Sequence, residues 1–238
     1  MKTFTTKHHK ITSFQETKYI YFDPLKKHDQ TLIFLHGLGD TAAGFVDLFA
    51  QIEVVSPSTR IILPTAPSRP VTINGGMKMP SWYDFGFPPT EFDKPPEKMS
   101  EEEKLDILRN QANQEDLIKS ADFLQNMINE ELSRFADGDP ARIFIGGFSQ
   151  GAAVCLATWL RYKGENPLGG VVALSGAQAL KLESARLENK SVQRRTPMFI
   201  YHGAGDMTIP IQDAMISYNF IFDQIYESTP NNIKKCNS

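Results

Sequence analysis

The chain has 238 residues, with 25 Lys+Arg against 28 Asp+Glu and two cysteines. That length suits one large α/β domain or two small ones, and no stretch of Gly, Ser or Pro reads as a linker, so a single domain over 1–238 is expected. The near balance of charge gives no bulk attraction for nucleic acid, no apolar run approaches the ~18 residues of a membrane span, and a core burying roughly 70–75% of the unfolded surface needs no disulfide staples.

The opening Met1 to Lys10 is basic but has no apolar core behind it, so it does not read as a secretory signal. Residues 1–17 are expected to be a tail. Lys18-Tyr19-Ile20-Tyr21-Phe22 reads as an edge strand, closed by a turn at Asp23-Pro24. Thr31–Leu35 and Arg60–Leu63 follow as short apolar runs with no alternation, the pattern of strands buried on both faces of a parallel sheet. Ser100 and Glu103 have capping-box spacing and predict a short helix. Leu117, Ala121, Leu124, Ile128, Leu132 and Phe135 repeat at helical spacing and predict a long one, ended by Asp137-Gly138. Arg142–Ile145, Gly170–Leu174 and Met198–Tyr201 are three more buried strands. Gln150–Tyr162 and Gln212–Tyr226 read as helices. Strands alternating with helices predict an α/β fold with a mostly parallel sheet flanked by helices. In such folds a site lies at the carboxyl ends of the strands.

The most informative segment is Gly147-Phe148-Ser149-Gln150-Gly151, a G-x-S-x-G set between a strand and a helix. A turn that sharp leaves no room for side chains beside the serine, and glycine has none. The alternative is a glycine turn whose serine merely caps the helix. A serine nucleophile needs a base, a carboxylate to hold that base, and two donors for the oxyanion. The glycine-rich His36-Gly37-Leu38-Gly39-Asp40 follows a strand and can turn a backbone N–H toward Ser149. The N–H of Gln150, next after the serine, is the second donor. Asp206, in His202-Gly203-Ala204-Gly205-Asp206, comes after Ser149 in the order this fold requires. Cys155 lies in the apolar helix and Cys236 in a polar segment, a usage that fits a reducing compartment.

These pieces together resemble the acyl-protein thioesterases and the related carboxylesterase/lysophospholipase group of α/β-hydrolases. The matching stretches are Phe34 to Thr41, Leu63 to Pro67, Pro70 to Asn74, Met79 to Asp84, Gly146 to Gly151, and His202-Gly203 with Asp206. The resemblance implies a cytoplasmic serine hydrolase that cleaves long acyl chains from protein cysteines or from lysolipids, with no cofactor or metal. It implies Ser149 as nucleophile, Asp206 as the acid, and Leu38 and Gln150 as the oxyanion N–H groups. It also implies an acyl channel over Val71 to Phe87, with Met79 and Trp82 as substrate-binding residues and Met77, Phe85 and Phe87 beside them; the alternative for these five is plain core. Residues 86–116, with Pro88-Pro89 and Pro95-Pro96, are longer and more charged than the family's link and read as a surface insertion.

One departure bears on the chemistry. The base in this fold is a histidine after the acid, and no histidine follows Asp206 in this sequence. His36 and His202 match family positions that are structural, His28 lies in a charged turn, and His8 and His9 lie in the tail. Asn231 to Ser238 reads as the start of a final strand, so the closing strand and helix are expected to be missing and Met198–Tyr201 to be a bare edge. Two readings follow: a shortened version of a working hydrolase, or a catalytically inactive homologue serving as a binding or assembly subunit.

Overall fold

The computed structural model describes residues 1–14, 18–51, 56–87, 95, 98–187 and 190–226. Among these, eight strands form one sheet: β1 (Lys2–Thr5), β2 (His9–Phe14), β3 (Tyr19–Pro24), β4 (Gln30–Leu35), β5 (Thr59–Leu63), β8 (Ile143–Phe148), β9 (Gly170–Leu174) and β10 (Met198–Tyr201). Their order is β1-β2-β3-β5-β4-β8-β9-β10. The first three strands and β5 pair antiparallel, and the rest of the sheet from β5 to β10 is parallel. A separate hairpin joins β6 (Ser68–Val71) to β7 (Met77–Pro80).

The unalternating apolar runs have a direct cause. Along β4, Ile33 and Leu35 pack into one buried cluster and Phe34 into the other, so both faces of the strand are covered. Helices α3 (Gln114–Leu132) and α4 (Gln150–Leu160) cover one face. Leu117, Ala121, Leu124 and Ile128 form the buried stripe of α3, as their spacing predicts. That helix stops at Leu132, before the expected Asp137-Gly138, because Ser133 closes it on the Asn129 carbonyl and Phe135 packs back on the core from a turn. Helix α6 (Ile211–Tyr226) buries Ala214, Tyr218 and Phe222 against Ala152 and Leu156 of α4.

Two expectations need correction. Residues 1–17 are not simply a tail: β1 and β2 form a hairpin whose second strand pairs with β3 from Phe14 to His9. Lys18–Phe22 is therefore not an edge strand. Ile11 is wholly buried against Phe22 and Ile61, and this burial is what recruits the segment to the sheet. The charged segment 86–116 is also more than surface. Its helix α2 (Glu101–Gln111) starts at the Ser100–Glu103 capping box and buries Leu105 and Arg109. The Arg109 guanidinium lies 4.5 Å from the centre of the Phe220 ring on α6. The segment returns where it left, through a bridge between Phe85 and Ala112. Pro88, Pro89 and Pro96 lie outside the described residues, as does the strand expected at Asn231 to Ser238. Among the described residues β10 pairs with β9 alone, and Phe199 and Tyr201 on it are exposed.

Candidate active site

Register brings the site together. Leu35 faces Gly147, Phe148 faces Leu174, and Leu174 faces Tyr201. The next residues, His36, Ser149, Ser175 and His202, therefore leave neighbouring strands at the same carboxyl edge of the sheet.

Ser149 joins β8 to α4 with φ 52° and ψ −117°. Such a conformation costs an L-residue ~1–3 kcal/mol. It is held in place by its own N–H, which donates to the Leu174 carbonyl at 2.8 Å. The flanking glycines answer to close backbone contact. A Cβ on Gly147 would stand 2.4 Å from the Gly151 carbonyl carbon, and one on Gly151 would stand 2.3 Å from the Leu35 carbonyl oxygen. The serine side chain makes no capping bond to α4, which removes the helix-cap alternative, and the residue is only partly buried.

Two free backbone donors flank it. Gln150 is the first residue of α4, so its N–H belongs to the orphan donors of a helix start. Leu38 lies in the loop after β4. Neither N–H meets a protein acceptor among the described residues, whereas the next two, Gly39 and Asp40, donate to Pro80 (2.9 Å) and Gly37 (3.3 Å). Gly39 takes φ 79°, which a larger residue rarely adopts. His36 braces the loop from below: Nδ1–H donates to the Gly37 carbonyl at 2.7 Å and Nε2 accepts from the Ala66 N–H at 3.0 Å. Those partners fix the neutral tautomer.

Burial holds the imidazoles of His36 and His9 below their ordinary range. The folded protein thus refuses protons that the unfolded chain binds below about pH 6.5. Stability is complete above that pH and declines as pH falls, by up to about 1.4 kcal/mol per pH unit for each ring. The calorimetric Tm is expected to drop steadily between about pH 7.5 and 5; a flat Tm would mean that both rings are protonated in place.

Asp206 sits in the loop after β10. Its Oδ1 accepts from the N–H groups of Ile209 and Thr208, both at 2.9 Å. Those backbone bonds hold its carboxyl below the usual range. Its Oδ2 lies 3.5 Å from His202 Nε2, which itself donates to the Ile209 carbonyl at 2.8 Å. His202 thereby ties the loop that carries Asp206. None of the five histidines makes a ring hydrogen bond to Ser149. His36 and His202 are engaged as described, His9 donates to the Thr59 carbonyl (2.9 Å), and His28 contacts Thr31 Oγ1 (2.8 Å). His8 lies in the β1–β2 turn at the far edge of the sheet.

Of Met79 and Trp82, the two residues expected to bind substrate, the structure places one shallow and one deep. Met79 is partly exposed against the loop after β4, its Sδ 3.5 Å from where a Cβ on Gly39 would stand. Trp82 lies deeper. It is 1% exposed, its ring centre 5.2 Å from His36 and 6.1 Å from Phe123. Its indole N–H donates to the His36 carbonyl at 2.9 Å. A large aromatic ring with its one polar group satisfied is stabilised most by full burial, and Trp82 supports the loop after β4 from within the core. Of the neighbours, Met77 and Phe87 are exposed and Phe85 packs on the core. Sequence reasoning missed Phe148, 42% exposed beside the serine, because its strand reads as wholly buried. It also missed the buried Gln150 side chain, since the two middle positions of G-x-S-x-G carry no requirement of their own. Among the described residues no group of three or more His, Cys, Asp or Glu is placed to hold a metal ion, and no helix is long and apolar enough to cross a membrane.

Comparison with known proteins agrees with this geometry. Residues 20–236 match the phospholipase/carboxylesterase family. The acyl-protein thioesterase 1 of Yarrowia lipolytica is 36% identical over 201 residues, covering 83% of this chain and 78% of its own. The acyl-protein thioesterase 1 homolog 1 of Dictyostelium discoideum is 34% identical over 90% of this chain and 84% of its own. The crystal structure of Zea mays acyl-protein thioesterase 2 superposes with a TM-score of 0.61 at 25% identity, over 88% of this chain and 86% of that one. The chain belongs to the phospholipase/carboxylesterase family, serine hydrolases of the α/β-hydrolase fold that act on acyl esters.

Proposed function

We propose that this protein hydrolyses long-chain acyl esters and thioesters, as one domain, through an acyl-enzyme on Ser149. Ser149 Oγ adds to the acyl carbonyl and gives its proton to water, the substrate C–O or C–S bond breaks as the leaving alcohol or thiol takes up a proton, and a second water then splits the acyl-enzyme into fatty acid and free serine. The N–H groups of Leu38 and Gln150 meet the oxyanion, and Asp206 is the acid of the site. Met79 meets the acyl chain beside the oxyanion loop. The observation that carries this reading is the strained backbone of Ser149, held at φ 52° next to two donors with no other partner. Strain of that kind persists where the surroundings enforce it, and here the hydroxyl makes no capping bond to the helix.

The substrates proposed are acylated proteins and lysolipids in the cytoplasm. The thioesterase names of the relatives support the first, the family's phospholipase members support the second, and the free buried Cys155 fits a reducing compartment. A fluorophosphonate probe tests the reading, because it reacts only with an activated serine. Labelling is expected at Ser149 and is expected to vanish in Ser149→Ala. A wild-type protein that stays unlabelled, yet still binds acylated peptide, would instead be a binding subunit.

A further inference from the structure

The Gln150 side chain is 5% exposed and lies among groups that fill its hydrogen-bonding capacity. Oε1 accepts from the Trp82 N–H at 2.8 Å. Nε2 donates to the Tyr83 carbonyl at 2.7 Å and to Ser81 Oγ at 3.1 Å. Ser81 Oγ in turn donates to the Tyr83 carbonyl at 2.6 Å. The carboxamide therefore reads three consecutive residues with both of its ends, one accepting and one donating. A helix-start glutamine with nothing to hold would reach for solvent.

The same three residues reach the other side of the site. The Trp82 indole N–H donates to the His36 carbonyl at 2.9 Å, and Pro80, just before them, accepts the Gly39 N–H at 2.9 Å. Ser120 on α3 donates to the Trp82 carbonyl and anchors the segment to the core. The 80–83 segment is thus a strut with one end on the loop that carries Leu38 and the other on the first residue of α4. Both proposed oxyanion donors hang from it.

We propose that Gln150 has two separate roles: its backbone N–H meets the oxyanion, and its carboxamide is a positioning group that sets the separation of the two donors through Ser81–Tyr83. This rests on the hydrolase reading above. An oxyanion hole acts only when its donors are preorganised at ~2.7–3.1 Å from the developing charge. A shift of one donor relative to the other weakens the transition state and leaves ground-state binding of the acyl chain untouched.

Gln150→Glu separates the roles, because it keeps the shape and the backbone N–H. An ionised carboxylate still accepts from the Trp82 N–H but faces the Tyr83 carbonyl with no proton to donate. A protonated carboxyl restores the donor. With a p-nitrophenyl acyl ester, the ratio of variant to wild-type kcat is expected to be about 1/30 or lower near pH 8, since outright removal of such a donor costs about 10²–10³-fold. The ratio is expected to climb about tenfold or more by pH 5.5 as the buried carboxyl is protonated, with KM within about twofold throughout. A merely structural glutamine would give a ratio flat in pH, and that result, or a loss confined to KM, overturns the proposal. If this variant does not fold, Ser81→Ala serves in its place: a kcat loss of about threefold or more at unchanged KM supports the strut, and an unchanged kcat overturns it. Failure of the hydrolase reading looks different, because wild type and Ser149→Ala would then hydrolyse the ester equally slowly.

Discussion

Ser149→Ala is expected to reduce ester hydrolysis to what donors and binding alone support, with the ~10⁶-fold loss in kcat of a complete nucleophile–base pair as the upper bound. The measurement is p-nitrophenyl ester turnover with purified wild type and variant side by side. Its size also reports on the proton acceptor, since no histidine follows Asp206 and none of the five makes a ring hydrogen bond to Ser149. A serine without a base adds nothing, and donors plus binding alone give about 10³–10⁴ over water. An alanine variant as fast as the wild type would therefore reduce Ser149 to a turn residue. Stability should respond oppositely to the next substitution. The φ of 52° strains serine and alanine alike but not glycine. Ser149→Gly is accordingly expected to raise Tm by about 2–4 °C for each kcal/mol of strain relieved, with Ser149→Ala close to wild type.

Gly151→Ala is the second large effect, and it acts on the scaffold. The new methyl would stand 2.3 Å from the Leu35 carbonyl oxygen and 2.7 Å from that of His36. Both are backbone atoms, so no side chain can swing away. Either β4 or the start of α4 must move, which places the cost at the upper end of overpacking, about 3 kcal/mol or more. The start of α4 carries the Gln150 N–H, so kcat should fall by about 10²–10³ even in protein that remains folded. Urea denaturation read alongside kcat checks both. A contrasting change, Gly76→Ala, meets nothing within 4 Å and is strained only by its φ of 80°, so it should cost about 1 kcal/mol and leave kcat intact. Wild-type stability in Gly151→Ala would show that α4 does not lie against β4 as closely as described.

Several parts of this molecule are legible in its residues because their causes are local. The parallel strands announce themselves by covering both faces, as at Ile33 and Phe34 of β4. The capping box at Ser100 and Glu103 forms between residues three apart. Asp206 is proposed from its order after Ser149 and the glycines around it. The N-terminal hairpin is not legible in that way. Lys2–Thr5 and His9–Phe14 carry little apolar pattern, and their pairing rests on one deeply buried side chain, Ile11, against residues of β3 and β5. Helix α3 reads correctly on its buried stripe but not at its end, where Phe135 continues the apolar spacing from a turn.

What the sequence by itself determined is the sharp turn at Ser149. Gly147 is explained within the five residues of that turn, because a Cβ there would meet the Gly151 backbone, whereas the need for Gly151 comes from β4, whose Leu35 carbonyl oxygen stands 2.3 Å from where a Gly151 Cβ would be. The tertiary structure alone decided that Trp82 lies in the core, where the Gln150 carboxamide points, and that one segment links the loop of Leu38 to the start of α4. Those outcomes join residues 36, 82 and 150, far apart along the chain, and each depends on a hydrogen bond that exists only once the sheet has brought β4 and β8 together.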